Sequence, residues 1–287
     1  MDHGDRSAPV RVRLDGVPET TMCTLWYRAT EARSGRGGFA DPRALDLVAT
    51  IDYPFEERFG GAADPSVRLG AQFVGQRART FDAAVAGALR AGAGTVVALG
   101  EGLETQFWRV DDGRVRWLTV DLPETAAVRA ATLGEDPPRR RIHAGSALDA
   151  DWPDLVGDAP GEPVVVVAQG LLMYLPPPGV RRLLVRCAQR FRRGMLLYDT
   201  VPHWFAGLAT RGRLRSPTGY RAPAMPWPQP GGRLEHIRAL HPDIVGARAL
   251  VPPPDGQSPA LHAWSAVVHG VPALQAVHPS VVRLDFR

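Results

Sequence analysis

The sequence predicts an α/β fold built on a doubly wound, mostly parallel sheet. Five short apolar runs alternate with helical segments in the middle of the chain. At least two of these runs are continuously apolar, which is typical of parallel strands covered on both faces. A glycine turn, GEG at 100–102, joins the first run to a helical segment and directs backbone N–H groups towards one point.

The first 92 residues form a predicted N-terminal helical cap, followed by a core domain at 93–287. The segment ETTMCTLWYRATEAR places Met22, Leu25, Trp26 and Ala29 on one face at helical spacing. The segment RTFDAAVAGALRAG repeats the helical period and stops at a glycine. Both segments precede the first apolar run, so we expect the cap to be helical throughout.

The core domain alternates strands with helices and then changes character. The predicted strands are TVVALG, VRWLTVD, RRIHAG, PVVVVAQG and GMLLYDT. The predicted helices between them are LETQFWRV, PETAAVRAATLG and PPGVRRLLVRCAQRF. The following stretch, RGRLRSPTGYRAPAMPWPQPGG, is too polar for a core and too long for an ordinary loop. We therefore predict a lid insertion at about 201–232.

A doubly wound sheet binds its ligand beyond the carboxyl ends of its strands. Polar residues and glycines stand at these ends in the sequence. In chain order these residues are Gly100, Glu101, Gly102, Asp121, Gln169, Gly170, Asp199 and Thr200. Asp121 lies about 20 residues beyond the glycines, which is the usual spacing of an acid that accepts from both ribose hydroxyls. The strand ends therefore predict a nucleoside-containing cofactor.

The glycine turn favours S-adenosyl-L-methionine over NAD as that cofactor. A dinucleotide site has the pattern G-x-G-x-x-G, but Thr105 occupies the place of the third glycine. Glu101 and Glu104 make the turn acidic, which disfavours a pyrophosphate and tolerates a cationic sulfonium. An NAD-dependent dehydrogenase remains the alternative, and cofactor binding would decide between the two.

Composition limits the classes of partner and compartment. The chain has 287 residues, 45% of them hydrophobic, and all 34 basic residues are arginine, with neither lysine nor asparagine present. This pattern indicates codon bias, so the pI of 9.6 is poor evidence for a nucleic-acid partner, and we expect none. We also expect a cytoplasmic protein without membrane contact or a bound metal, since spanning runs, export signals and metal-ligand spacing are missing.

A series of short stretches resembles the leucine carboxyl methyltransferase and polyketide-synthesis O-methyltransferase family. In chain order they are GVPETTMCTLWYRATEAR, ADPRALDLVATIDYPF, RARTFD, VVALGEGLETQFWRV, TVDLPE, AGSALDADW, AQGLLMYL and LLYDT. The family's usual glycine motif is close to G-x-G-x-D-T-x-F-x-R. The resemblance implies a class I S-adenosylmethionine-dependent methyltransferase with a seven-stranded, Rossmann-like sheet and S-adenosyl-L-homocysteine as a product.

The resemblance also implies roles for individual residues. Gly100 and Gly102 would line the methionine part of the cofactor, and Arg77 would pair with its carboxylate, with Arg28 as a weaker second candidate. Asp121 would bind the ribose, while Leu148 and Asp149 would contact the adenine. The complete predicted cofactor-binding set is Arg77, Gly100, Glu101, Gly102, Asp121, Leu122, Ala147, Leu148, Asp149 and Gln169.

Some positions depart from the family pattern. Gln169 stands where the family usually has Glu, near the cationic end of the cofactor, so hydrogen-bond acceptance is kept and the charge is lost. Glu104 replaces Asp, and Gln106 replaces an Arg that polyketide members often have. We expect Glu101, where a small residue is usual, to restore the missing charge. The alternative is a degenerate site in a non-catalytic cofactor-binding or partner-binding scaffold.

The predicted reaction is O-methylation of a carboxyl group on a polyketide or peptide natural-product intermediate. A carboxylate is ionised near neutral pH and needs positioning rather than a base, which we assign to Tyr174 and an arginine of the lid. Methylation of a phenol or another oxygen or nitrogen is the alternative, with His203 as the base. The substrate is a small molecule or a peptide, while its identity and the oligomeric state stay open. Trp204, Tyr220 and Trp227 form an apolar wall in the pocket or anchor the lid.

Overall fold

A computed structural model describes residues 10–35, 38–134, 137–157, 162–229, 234–254, 267–268 and 271–287. Nine strands are present in these ranges. They are β1 Val10–Arg11, β2 Ile51–Asp52, β3 Thr95–Leu99, β4 Arg116–Asp121, β5 Arg140–Ala144, β6 Val164–Ala168, β7 Met195–Asp199, β8 Ile244–Leu250 and β9 Val281–Phe286.

The strands from β3 onwards form one seven-stranded sheet in the order β5-β4-β3-β6-β7-β9-β8. Strands β3 to β7 pair in parallel, and β9 pairs antiparallel with both β7 and β8. The predicted mostly parallel, seven-stranded α/β fold is therefore confirmed, and its five predicted strands coincide with β3 to β7. The strand order reverses between β3 and β6, the point at which a doubly wound sheet opens a crevice for its ligand. Separately, β1 and β2 form a short parallel pair.

Helices cover the sheet and form the N-terminal part of the chain. They are α1 Thr20–Ser34, α2 Pro42–Thr50, α3 Phe55–Phe59, α4 Pro65–Arg90, α5 Gln106–Val110, α6 Pro123–Leu133, α7 Pro177–Arg190, α8 His203–Thr210, α9 Glu235–Arg238 and α10 Pro272–Gln275. Short 3₁₀ turns occupy Trp152–Val156 and Leu172–Tyr174.

Local sequence signals fix the start of the helices that frame the site. Asp64 caps α4 by accepting from Ser66 N at 2.8 Å, and Pro65 occupies the first helical position, where its missing N–H costs nothing. Asp41 caps α2 in the same way, accepting from Ala44 N at 3.0 Å. These two caps set where each helix enters the N-terminal part.

Apolar layers lie on both faces of the sheet, as the continuous burial of β3, β6 and β7 requires. Phe81 and Val85 of α4 pack on one face, and Leu183 and Leu184 of α7 pack on the other. Val67, near the start of α4, belongs instead to the cluster formed by α1, α2 and α3. Because α4 packs with both groups, it joins the helical part to the sheet, and the domain division at residue 92 stays a prediction.

The described part of the chain contains no helix that is both long and apolar enough to cross a bilayer. Within the same ranges, no group of three or more histidine, cysteine or acidic side chains is arranged to hold a metal ion. Cys23 and Cys187 are free thiols, and burial raises the pKa of both to about 12.

Candidate active site

A cavity of about 840 Å³ opens at the carboxyl ends of the parallel strands. Its walls come from the turns after β3, β4, β6 and β7, from α1 and α4, and from the segment that follows α8. This volume is typical of sites that enclose a small organic ligand. The cavity therefore lies at the place where the strand order predicts the ligand.

The glycine turn after β3 forms the floor of the cavity. Gly100 and Gly102 adopt φ values of 58° and 56°, in the left-handed region that glycine adopts without strain. A Cβ atom on Gly102 would lie 2.2 Å from Thr21 Oγ1, and one on Gly100 would lie 2.8 Å from Leu171 Cδ1. The turn thus requires glycine at both positions because its backbone packs closely against α1 and the turn after β6.

Asp121 ends β4 directly beside this turn and lines the cavity. Its Oδ2 atom accepts from Gly102 N at 2.6 Å, and its Oδ1 atom accepts from Leu122 N at 2.9 Å. Burial raises the pKa of Asp121 to about 6. Each oxygen has a second lone pair, so the ionised carboxylate is able to accept two further hydrogen bonds.

Arg77 extends from α4 to the other end of the cavity. Its Nη1 atom donates to Asp199 Oδ2 at 2.9 Å, and Asp199 Oδ1 accepts from Gly170 N at 2.6 Å. The Arg77 Nε atom is buried and has no hydrogen-bond partner among the described residues. A guanidinium presents five N–H donors, so the ion pair with Asp199 leaves capacity for a second anion.

Gln169, at the end of β6, is hydrogen-bonded to the acid that follows the glycine turn. Its Nε2 atom donates to Glu104 Oε2 at 2.8 Å. The same carboxylate faces Arg28 Nη1 at 3.1 Å and Arg109 Nη2 at 2.8 Å. Burial alone would raise the pKa of Glu104, but the two guanidiniums outweigh it and lower the pKa to about 2. Glu104 is therefore ionised throughout the neutral range.

The segment after α8 closes the cavity on the side of the N-terminal helices. Ser216 Oγ and Thr218 Oγ1 both donate to Arg58 O, at 3.1 and 2.7 Å. The ring of Tyr220 packs edge-on against Phe59 with a centroid distance of 5.0 Å. These contacts tie the predicted lid to α3, while residues 230–232 of the prediction lie outside the described residues.

Comparison with known proteins shows to which family the chain belongs. The family profile for leucine carboxyl methyltransferase matches residues 21–188, more than half of the chain. This chain belongs to the leucine carboxyl methyltransferase family. It is a methyltransferase that uses S-adenosylmethionine, and the predicted family, enzyme class and cofactor are confirmed.

This methyltransferase is similar to bacterial proteins of Streptomyces and Parafrankia. The tetracenomycin polyketide synthesis O-methyltransferase TcmP of Streptomyces glaucescens is 31% identical over 210 residues, which is 72% of this chain and 74% of that protein. An inferred S-adenosylmethionine-dependent methyltransferase of Parafrankia sp. is 34% identical over 179 residues, 59% of this chain and 58% of that protein. Among solved structures, an inferred methyltransferase of Thermobifida fusca aligns with a TM-score of 0.49 and 16% identity, covering 91% of this chain and 94% of that one.

The residues of the methyltransferase fit its cofactor. Arg77 and Gln169 both line the cavity. Each has a buried polar atom, Arg77 Nε and Gln169 Oε1, that forms no hydrogen bond with any described residue. Arg77 is suited to a carboxylate, and Asp121 is suited to a pair of hydroxyls. Gly100 and Gly102 of the glycine turn line the cavity with them. S-adenosylmethionine carries a carboxylate and a ribose diol, so the donors and acceptors present match those the cofactor needs.

Glu101 lines the cavity, but its carboxylate is paired with two buried guanidiniums. Its Oε1 atom lies 3.1 Å from Arg129 Nη2, and its Oε2 atom lies 3.2 Å from Arg140 Nη2 and accepts from Thr119 Oγ1. All four side chains are buried. The carboxylate balances two buried guanidiniums, which argues against the expectation that Glu101 replaces the charge lost at Gln169.

The loop after β5 contacts the cavity one to three residues earlier than we expected. Ala147 lines the cavity together with Gly145 and Ser146, but Leu148 and Asp149 do not. The loop folds back in a turn in which Asp149 N donates to Ser146 O and Asp149 Oδ2 accepts from Ser146 N. This turn packs Leu148 against the core beneath the sheet, so the adenine contacts predicted for these two residues are corrected. Leu122 does line the cavity and is 39% exposed.

Arg28 is committed to the protein itself. Its three nitrogens contact Asp41 Oδ2 at 3.1 Å, Glu104 Oε2 at 3.1 Å and Leu103 O at 2.6 Å. The side chain is 1% exposed. Arg28 lines the cavity but holds the glycine turn against α1 with all three nitrogens, so these contacts favour Arg77 over Arg28 for the cofactor carboxylate.

The two predicted catalytic residues are placed differently. Tyr174 lines the cavity, and burial raises the pKa of its hydroxyl, so the phenol stays protonated and can donate. His203 begins α8 with an exposed side chain and is not among the residues that line the cavity. Its position does not support the predicted role of base.

The aromatic residues of the lid also divide into two groups. Trp204 and Tyr220 line the cavity, whereas Trp227 packs in the core against Tyr198 with a centroid distance of 5.7 Å. A histidine that the sequence did not single out, His278, also lines the cavity just before β9. Its Nδ1 atom donates to Pro279 O at 2.6 Å. Only the pairing of β9 beside β7 brings His278 to this position.

Proposed function

We propose that this methyltransferase transfers its methyl group to a carboxylate oxygen of an apolar acid, either a polyketide or a peptide. The observation that carries the proposal is a group of arginines on the lid beside an apolar cavity. Arg211, Arg213, Arg215 and Arg221 are exposed, and none of them pairs with a carboxylate among the described residues. Arg215 also lines the cavity. Uncompensated positive charge at the mouth of a pocket raises the local concentration of an anionic substrate.

The substrate part of the cavity supports an apolar body for that anion. Large apolar side chains from three parts of the chain line it, namely Leu69, Phe73, Met173, Phe205, Leu214 and Met225. Leu69 and Phe73 are 56% and 44% exposed on α4, although both are apolar. Apolar groups left open to solvent around a pocket indicate a ligand that covers them.

The chemistry of a carboxylate acceptor matches the groups available. Bound S-adenosylmethionine supplies an activated methyl group on a sulfonium. A carboxylate is ionised near neutral pH, so the protein has to orient one oxygen and exclude water rather than remove a proton. Tyr174 and Tyr220 line the cavity, and burial raises the pKa of both hydroxyls, so both are protonated donors. We assign the orientation of the acceptor to these two hydroxyls.

The relative from Streptomyces glaucescens supports polyketide acids as the first compounds to examine, since it is named for tetracenomycin polyketide synthesis. A second candidate reaction, methylation of a phenol, is favoured by His278. Because a carbonyl oxygen only accepts, His278 Nδ1 is the donor in this contact, and in the tautomer with its proton on Nδ1 the basic nitrogen is Nε2. A base of this kind is what a phenol requires and a carboxylate does not.

The chemical stability of the product distinguishes the two reactions. We would incubate the enzyme with radiolabelled S-adenosylmethionine and a panel of polyketide and peptide acids, each paired with its phenolic analogue. A carboxylate acceptor gives a methyl ester that releases methanol in mild base, whereas a phenol gives a base-stable ether. We expect a base-labile product and little loss of activity in His278→Gln. A base-stable product that disappears in His278→Gln would replace the carboxylate proposal with the phenol.

Charge at the lid gives an independent test. The double variant R213A/R215A should lower kcat/KM for the acid about tenfold at low salt, and the difference should shrink as salt rises. The matched control is R181A/R182A, which removes the same charge from exposed positions on α7. Equal effects of the two double variants would contradict a role for the lid arginines. Cofactor binding without turnover of any acid or phenol would instead favour the non-catalytic scaffold.

A further inference from the structure

The side-chain amide of Gln169 is oriented by a buried carboxylate. Its Nε2 atom donates to Glu104 Oε2 at 2.8 Å. An ionised carboxylate only accepts hydrogen bonds, so the amide must direct its NH₂ group towards Glu104 and its carbonyl oxygen away. The opposite orientation would place two acceptors against each other. Glu104 therefore determines which end of Gln169 is available to a ligand.

Glu104 is itself held rigidly. Arg28 from α1 and Arg109 from α5 contact its two oxygens, and Thr105 N donates to Oε1 at 2.9 Å. Arg109 additionally pairs with Asp41 at 2.8 Å and with Asp82 at 2.7 Å. Arg28, Asp41 and Glu104 are buried, Arg109 and Asp82 are partly buried, and the cluster joins α1, α4 and α5 to the glycine turn. Its geometry leaves Gln169 with one possible orientation.

The available end of Gln169 lacks a hydrogen-bond partner in the part of the chain that the structure describes. Gln169 Oε1 is buried and accepts no hydrogen bond from any described residue, although the side chain lines the cavity. A buried acceptor without a donor is unfavourable, and such atoms in native proteins usually mark a functional position or a missing ligand. The cofactor carries an ammonium group at its methionine end, and an ammonium donates up to three hydrogen bonds.

We propose that Glu104 is a positioning residue that fixes Gln169 so that its carbonyl oxygen accepts from the ammonium of the cofactor. Gln169 is then a working replacement for the acid that is usual in the family, rather than the mark of a lost site. The charges around it explain the replacement, since the cluster already contains three carboxylates and two guanidiniums. A carboxylate at position 169 would face Glu104 at hydrogen-bonding distance and add a further uncompensated charge. The inference holds whichever oxygen is methylated.

The variant Gln169→Glu separates this proposal from a degenerate site, because the two predict opposite results. A degenerate site should bind the cofactor more tightly when the usual acid is restored. Our proposal predicts an affinity for S-adenosylhomocysteine at least tenfold weaker at pH 7.5, measured by calorimetric titration. Gln189→Glu, which adds the same charge at an exposed position on α7, is the control and should bind like the wild type. Unchanged or tighter binding by Gln169→Glu would overturn the proposal.

Two further variants keep the test decisive. The exchange variant E104Q/Q169E moves the carboxylate to the other side of the same contact and keeps the total charge, so we expect it to bind more tightly than Gln169→Glu. A folded exchange variant without any recovery would contradict the proposal. Gln169→Met preserves the length of the side chain and removes both polar ends. It should melt within a few degrees of the wild type yet bind at least fivefold more weakly, and wild-type affinity would overturn the role of the carbonyl oxygen.

Discussion

Arg77 and Asp199 form an ion pair that joins α4 to the end of β7, with Nη1 2.9 Å from Oδ2. Asp199 is fixed in turn, because its other oxygen accepts from Gly170 N at 2.6 Å. The guanidinium is thereby held beside the turn after β6, and its Nε donor has no partner among the described residues. This arrangement suits a guanidinium that binds a second carboxylate without changing its position.

The first prediction concerns the guanidinium of Arg77. Arg77→Met should weaken the binding of S-adenosylhomocysteine about tenfold or more, since a charge-assisted hydrogen bond to a carboxylate contributes about 1.5–3 kcal/mol. The measurement is calorimetric titration, with Arg68→Met as the control because Arg68 is exposed on the same helix. Asp199→Asn should give an intermediate loss, as it loosens the guanidinium without removing it. Equal affinities for Arg77→Met and Arg68→Met would remove Arg77 from the cofactor site.

The second prediction concerns the pH dependence of cofactor binding through Asp121. Burial raises the pKa of this carboxyl to about 6 from an ordinary value of 3.8. Only the ionised form accepts from two ribose hydroxyls, so affinity should be constant from pH 7 to 8 and fall as pH drops through about 6. Titrations of the wild type and of Asp121→Asn across pH 5–8 provide the measurement. The variant should bind weakly and lack this pH dependence, and a wild-type affinity that is flat to pH 5 would contradict the assignment.

The same shift predicts a change in stability of the free enzyme. The folded state binds the Asp121 proton more tightly than the unfolded chain does. This group's contribution to the free energy of unfolding therefore decreases as the pH rises from about 4 to 6, and it no longer changes above pH 6. Urea unfolding at several pH values should therefore show a decrease over this interval that is smaller in Asp121→Asn. An identical pH profile for the two proteins would show that Asp121 titrates normally.

Much of the fold was predictable because its central strands carry a strong local signal. VVVVA in β6 and MLLY, the first four residues of β7, are continuously apolar, and buried strands of this kind are recognisable from composition. β8 escaped prediction for a physical reason. It is a half-exposed edge strand whose register shifts between Ile244 and Gly246, so neither alternation nor a continuous apolar run marks it.

The site was predictable at the strand ends and less so elsewhere. Gly100, Asp121 and Gln169 line the cavity because the ends of parallel strands meet at one edge of the sheet. The partners of side chains depend on packing between distant segments, which spacing does not encode. The ion pair of Glu101 with Arg129, and the outward direction of His203, are examples.

A further prediction follows from the buried ion pairs of Glu101 with Arg129 and Arg140. Glu101→Ala would leave Arg129 and Arg140 without their shared carboxylate, so we expect a loss of about 3–5 kcal/mol in the free energy of unfolding. Urea denaturation measures this loss, and Glu124→Ala, at an exposed position on α6, should change stability little. The folded fraction of Glu101→Ala should retain most of its affinity for S-adenosylhomocysteine. A variant of full stability that binds no cofactor would restore Glu101 as a cofactor-binding acid.

The last prediction concerns the hydroxyl of Tyr220, which is buried beside the cavity without a hydrogen-bond partner among the described residues. Tyr220→Phe breaks no hydrogen bond to a described residue, so its melting temperature should equal or exceed that of the wild type. If the hydroxyl orients the acceptor, kcat/KM should fall about tenfold, equivalent to about 1.4 kcal/mol.

Tyr53→Phe is the matched comparison, because Tyr53 Oη donates to Glu19 Oε1 at 2.8 Å and Tyr53 is not among the residues lining the cavity. Removing that hydroxyl should lower stability by about 1 kcal/mol and leave kcat/KM unchanged. The two tyrosines should thus give opposite patterns, one variant losing catalysis and the other losing stability. A Tyr220→Phe enzyme that is less stable and fully active would mean that the hydroxyl supports the lid and does not contact the substrate.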